Sequence, residues 1–203
     1  MRNKYVNRAK ISEANFRELV RFFSIDLTAI QITELTGLNR NTVNRYLTEI
    51  RKKILNYTQL TSPLSQAQLP RFNMNETDEF CILVREFETK IYTELIPQEI
   101  AFINGKLRES DLLMDSDYEL IIHVENGNHI FLGKKSSDAN RHRIKLNRIE
   151  SFWGNAKSRL TKFKGMHSST FRYHVKECEF RFNNRNKDLY QLLLKILRKD
   201  PLF

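Results

Sequence analysis

DLTAIQITELTGLNRNTVNRYLTEIRKKI, residues 26 to 54, decides how the front of this chain folds. Thr28 is a side-chain N-cap for a short helix, Ile32 and Leu35 sit behind it at helical spacing as buried positions, and Gly37 marks a break where a positive φ costs little. A further helix starts near Asn39. Val43, Leu47, Ile50 and Ile54 form its apolar stripe, while Arg40, Asn41, Asn44, Arg45, Arg51, Lys52 and Lys53 lie elsewhere on the cylinder. Upstream, SEANFRELVRFFS (12–24) carries Phe16, Leu19, Val20 and Phe23 at the same spacing, with Ser12 as N-cap, and predicts a first packing helix.

A short helix, a glycine turn and a second helix with Arg and Asn near its start is the helix-turn-helix layout, which sets a recognition helix in the major groove. Arg can fork onto guanine and Asn onto adenine, so Arg40, Asn41, Asn44 and Arg45 have the chemistry for base edges. Arg51, Lys52 and Lys53, further along, suit phosphates. The same pattern also describes a three-helix bundle whose polar face is simply solvated.

Charge points the same way. Lys and Arg total 34 against 24 Asp and Glu, a net charge of +10 and a pI near 9.7, which favours encounter with a polyanion, nucleic acid being the commonest. The basic opening MRNKYVNRAK leads into an amphipathic segment rather than a secretory apolar run, and FCILV (80–84) is far too short to span a bilayer, so a soluble intracellular protein with no membrane partner is expected. Cys81 and Cys178 are isolated and the five His are scattered, which predicts neither a disulfide framework nor a zinc site. With 203 residues, 40% hydrophobic, the chain is long enough for two small units.

From Tyr57 to about Asn75 the chain is polar, carries Pro63 and Pro70 and loses helical periodicity, as an inter-domain connection does. Beyond it, FCILV and KIYTELI (90–96) predict an antiparallel hairpin, 97–108 a helix, DLLMD (111–115) a buried strand, and YELIIHV and HIFLG a strand pair around ENGN. Helices follow over 145–163, 168–184 and 187–198, the last ended by Pro201. Strands first and helices last predict an α+β or mixed α/β core.

On the 145–163 helix, Ile149, Phe152, Trp153, Ala156, Leu160 and Phe163 share a side that would pack on a sheet. Asn147, Glu150, Gly154 and Lys157 form a neighbouring stripe: an amide, a carboxylate, a gap without a side chain, and a cation. Such a carboxylate can hold a divalent metal while the lysine touches a phosphate, or it can pair with a surface Arg or Lys as many helical glutamates do.

NRIESFWGNAKSRLTKF (147–163), ECEFRFNNR (177–185) and DLYQLLLKIL (188–197), together with GLNRNTVNRYL, the opening MRNKYVNRAKIS and KIYTELIP, resemble the small bacterial insertion-sequence transposases of the DDE type, the ISXO-like group. Agreement covers both ends of the chain and less of the middle. The resemblance implies an N-terminal helix-turn-helix domain over 1–56, a linker over 57–75, and an abbreviated ribonuclease H-like core with C-terminal helices over 76–203. It implies two Mg²⁺ ions held by acids on two strands and a helix, in a phosphoryl transfer that cuts and joins DNA. Carried over to this chain, the acids are Asp78 in ETDEF, Asp117 in MDSDYEL with Asp115 as rival by register, and Glu150 or Asn147 on the helix, with Lys157 on DNA phosphate. The partners implied are double-stranded DNA, as terminal inverted repeats and as target, and a second copy of the chain. The implied location is cytoplasmic, at the nucleoid. Two features depart from the group: no basic, Gly-rich segment separates Asp78 from the next strand, and no Gly-Trp follows Asp117. Two readings result: an active transposase, or a catalytically inactive derivative that binds DNA and represses.

Overall fold

A computed structural model of the protein describes residues 3–8, 10–62, 80–97, 102–103, 106–107, 118–125, 128–136, 139–161 and 168–203. In chain order the elements are α1 (Glu13–Ser24), α2 (Ala29–Thr36), α3 (Arg40–Leu60), β1 (Phe80–Phe87), β2 (Lys90–Pro97), β3 (Phe102–Ile103), β4 (Lys106–Leu107), β5 (Tyr118–Glu125), β6 (Asn128–Ser136), α4 (Ala139–Leu160), α5 (Ser168–Asn183) and α6 (Leu189–Lys199). They form two compact units, Met1–Thr61 with Asn184–Phe203, and Ser62–Asn183.

The first unit is helical, and its helices begin where their caps dictate. The Ser12 hydroxyl accepts from the Asn15 amide at 3.1 Å, Thr28 and Gln31 form a capping box, and the Asn39 side chain accepts from the Asn41 amide at 2.9 Å. Gly37 ends α2 at φ 66°, the left-handed conformation that the sequence assigns to it. Phe16, Leu19, Val20, Phe23, Ile32, Val43, Leu47, Ile50 and Ile54 are all buried. Leu35, expected in the core, is 58% exposed. Helical spacing gives an angle about the axis but not how far along that axis a neighbour extends.

Residues 184–203 belong to this unit, whereas the sequence reading assigns them to the strand-bearing domain; α3 likewise continues to Leu60, beyond the boundary read at residue 56. Leu193, Leu194 and Leu197 are buried on α6, and Arg17 on α1 donates to the Tyr190 hydroxyl at 3.2 Å. Past α6, Leu202 forms a parallel bridge with Val6: its amide donates to the Tyr5 carbonyl and its carbonyl accepts from the Asn7 amide, both at 2.9 Å. Leu202 is fully buried.

The second unit holds a four-stranded sheet of order β2-β1-β5-β6, antiparallel at each pairing, and a two-stranded sheet β3-β4. The architecture is therefore mixed α and β, as expected. The 97–108 segment, read as helical, contains β3 and β4. Asn104 and Gly105 stand between them in the sequence, the pair that most favours a two-residue hairpin connection. β1 and β2 are joined through Glu88 and Thr89, at φ 47° and 77°, so a tight loop there imposes the left-handed region on two residues that resist it. The DLLMD strand expected at 111–115 lies outside the described residues.

Alternation along β1 sends Ile82 and Val84 to the face that meets α4 and α5. There Ile149, Phe152, Ala156 and Leu160 pack with Phe171, Val175, Cys178 and Phe182, and the Phe152 and Phe182 rings meet edge to face at 5.4 Å. Trp153 is partly buried against this core. Phe163 lies outside the described residues.

Among the described residues β2 has a strand on one side only, which leaves outward backbone groups to satisfy. α5 does so with one stripe of side chains. Asn183 accepts from the Ile91 amide at 2.8 Å and donates to its carbonyl at 2.6 Å. Glu179 accepts from the Thr93 amide at 2.9 Å, and Lys176 donates to the Thr93 carbonyl. Lys176, Glu179 and Asn183, at helical steps of three and four, thus stand in for a neighbouring strand. α4 and α5 are joined by Glu177, fully buried, which accepts from Arg159 at 2.6 Å and Arg181 at 2.9 Å. Among the described residues no helix is long and apolar enough to cross a membrane.

Candidate functional site

The basic character is unevenly divided. The helical unit has 16 Lys and Arg against 7 Asp and Glu, and the sheet unit 18 against 17, so +9 of the +10 resides in the helical unit. A polyanion is therefore attracted to that unit first.

On its surface, the start of α3 presents Arg40, Asn41, Asn44 and Arg45, all exposed, while Val43, Tyr46 and Leu47 turn inward. The Asn39 cap and Gly37 fix where that face begins. Four fork-shaped or amide side chains thus project from two successive turns of a helix that follows a three-residue connection from α2.

The other three cations of α3, which the sequence assigns to phosphates, have partners within the chain. Lys52 pairs with Glu49 at 2.7 Å, and Lys53 with Asp200 at 2.6 Å. The Arg51 guanidinium lies 5.6 Å from the Phe23 ring centroid. All three are half-buried, and for the two lysines a phosphate would have to displace a carboxylate already in place. The fold-back of residues 184–203 is the reason for Lys53: it brings Asp200 to α3 from far away in sequence. Arg45 has a partner of another kind, with its guanidinium 4.2 Å from the Phe203 ring centroid.

In the sheet unit, Glu150, Gly154 and Lys157 lie exposed along α4, in the stripe that their spacing predicts. A methyl group at Gly154 would meet nothing within 4 Å among the described residues. The Asn147 side chain and Asp78, Asp115 and Asp117 lie outside the described residues. Among the described residues no group of three His, Cys, Asp or Glu side chains is placed to hold a metal. The strands to which the two aspartates attach are described, however. Phe80 stands opposite Val124 and Arg85 opposite Glu119, so the first residues of β1 and β5 lie at opposite ends of an antiparallel pair. Six residues at about 3.3 Å each put those ends roughly 20 Å apart.

Glu86, which the sequence reading passed over, is buried on β1 and paired with Arg148 of α4, and its Oε2 has no hydrogen-bond partner among the described residues. The signal was in the alternation: Glu86 follows Ile82 and Val84 on the core-facing side.

The chain is similar to an uncharacterized transposase-like protein of Haemophilus influenzae, 28% identical over 120 residues that make up 56% of this chain and 97% of that relative. No family model and no solved structure matches the chain.

Proposed function

We propose that this chain is a transposition-related DNA-binding protein whose helical unit reads duplex DNA with the start of α3, in the manner of a helix-turn-helix. The observation that carries this is the concentration of +9 in the unit that exposes Arg40, Asn41, Asn44 and Arg45. Likeness to a transposase-like protein supports the role. Positive charge supplies sequence-independent, salt-sensitive affinity, and the Arg and Asn side chains supply discrimination of roughly 1–3 kcal/mol per bidentate base contact.

In the fuller form of this reading the sheet unit is a ribonuclease H-like core that cuts and joins strands. Asp78, Asp117 and Glu150, with Asn147 or Asp115 as substitutes, carry the oxygen donors that Mg²⁺ prefers; when bound, such ions activate an attacking oxygen and neutralise a departing one. Lys157, exposed on the same stripe of α4 as Glu150, would take a phosphate. Two copies would hold two DNA ends. The antiparallel pairing of β1 with β5 favours the second form, a non-catalytic derivative that occupies DNA and represses, because strand starts roughly 20 Å apart do not suit a shared pair of ions about 4 Å apart.

Selection from a random duplex library, followed by incubation of the full chain with supercoiled plasmid bearing the selected sequence and Mg²⁺, separates these outcomes. Nicking or joining that Glu150→Gln and Asp117→Asn abolish, with DNA binding intact, establishes the catalytic form. Selective binding without cleavage establishes the repressor form. No selective binding sinks both.

A further inference from the structure

Phe203 sits beside the reading face, although it is far from α3 in sequence. Leu202, fully buried and held by backbone hydrogen bonds to Tyr5 and Asn7, anchors the segment, and the Asn7 side chain donates to the Phe203 carbonyl at 2.8 Å. The Phe203 ring meets Tyr46 edge to face at 5.9 Å, Tyr46 meets Phe16 at 5.6 Å, and Phe16 is fully buried. A line of aromatics therefore runs from the core of the helical unit out to a ring that is 47% exposed. On that ring lies the Arg45 guanidinium, 4.2 Å from the centroid, itself exposed to solvent.

A guanidinium has two separable recognition surfaces. Its face is attracted to the aromatic quadrupole, and its N–H donors lie in its plane, pointing away from the stack. A ring against one face thus restricts a long, rotamer-rich side chain without using the donors that read guanine.

We propose that Phe203 is a positioning residue of the DNA-reading face, holding the Arg45 guanidinium by its face so that the in-plane N–H groups are presented to a base edge. This rests on the reading of α3 as the recognition helix. The ring raises sequence discrimination at one base pair by lowering the ordering cost of Arg45 on binding, and it adds nothing to the charge-driven affinity for duplex in general.

The test uses the full chain and the duplex that it enriches from a random library. At fixed salt, Phe203→Ala binds the enriched duplex roughly two- to fivefold more weakly, the scale of an exposed cation–π contact, and binds unselected duplex as the unaltered chain does. Phe203→Trp restores the preference. Phe203→Leu behaves like the alanine variant, which distinguishes a π contact from packing bulk, and Phe203→Ala costs little further in the Arg45→Ala background. Equal loss on all duplexes, no loss on the enriched one, or full activity of the leucine variant overturns the proposal. If the unaltered chain enriches no sequence, the underlying reading fails together with it, whereas enrichment unaffected by Phe203 removes this inference alone.

Discussion

Replacing Glu179 with alanine tests whether α5 truly completes the open side of β2. Its Oε2 accepts from the Thr93 amide at 2.9 Å, the Thr93 hydroxyl at 2.7 Å and Lys176 Nζ at 2.9 Å, and its side chain is only 2% exposed. Removal strands the Thr93 amide and leaves the Lys176 ammonium, buried, with the Thr93 carbonyl and with Glu94 at 3.5 Å. Breaking a buried ion pair on one side costs about 3–5 kcal/mol, a figure that includes the stranded charge. Trp153 is the single tryptophan of the chain and is packed on the core of the same unit, so its fluorescence in urea reports this unit. With a denaturant slope of about 1.5 kcal/mol per molar, the midpoint falls by roughly 2–3 M. Glu179→Gln keeps an acceptor for Thr93 and loses less. A loss under about 1 kcal/mol for the alanine variant, at unchanged slope, would refute the reasoning, because water would then be serving the strand as well as α5 does.

The same unit is expected to weaken in alkali. Burial and the nearby charges of Glu179 and Glu88 raise the Tyr92 phenol above 10.0, and burial raises the Cys178 thiol above 9.0 against the pull of Arg159. Burial pushes the Lys176 ammonium down, but the Glu179 and Glu94 charges outweigh it and hold its pKa above 10.5. Each group therefore binds its proton more tightly folded than unfolded, so stability is full below about pH 9 and falls as pH rises, which urea titrations followed by Trp153 at stepped pH would show. Thr89→Gly relieves a β-branched residue held at φ 77° and should stabilise the unit by about 1 kcal/mol in the same assay; destabilisation would mean that the side chain is needed. Gly154→Ala, with open space beyond the new methyl, should add about 0.5–1 kcal/mol to α4, and a loss would reveal a contact at that position.

What was legible in the sequence follows from what acts locally. Ser12, Thr28, Gly37 and Asn39 set helix ends through contacts within three residues, so their roles could be read directly. The stripes of α1, α3 and α4 needed only a period, and the β1–β2 and β5–β6 hairpins only strand-forming runs on either side of a short turn. What escaped was non-local. Nothing in LYQLLLKILRKDPLF says which apolar surface it joins, and that choice moved Asp200 onto Lys53 and Phe203 onto Arg45. The cap on β2 escaped for the same reason, since Lys176, Glu179 and Asn183 read as an ordinary polar stripe until a strand edge lies beside them. Of the acidic set, Glu150 and Lys157 stand where spacing puts them, whereas gathering the aspartates depends on strand pairing, which no period encodes.

The most direct test of the account observes the reading side chains themselves. In nuclear magnetic resonance spectra of the full chain titrated with a duplex of about 20 base pairs at low salt, the side-chain amides of Asn41 and Asn44 and the Nε signals of Arg40 and Arg45 should shift together and saturate. Shifts confined to the sheet unit, with those signals unmoved, would contradict it.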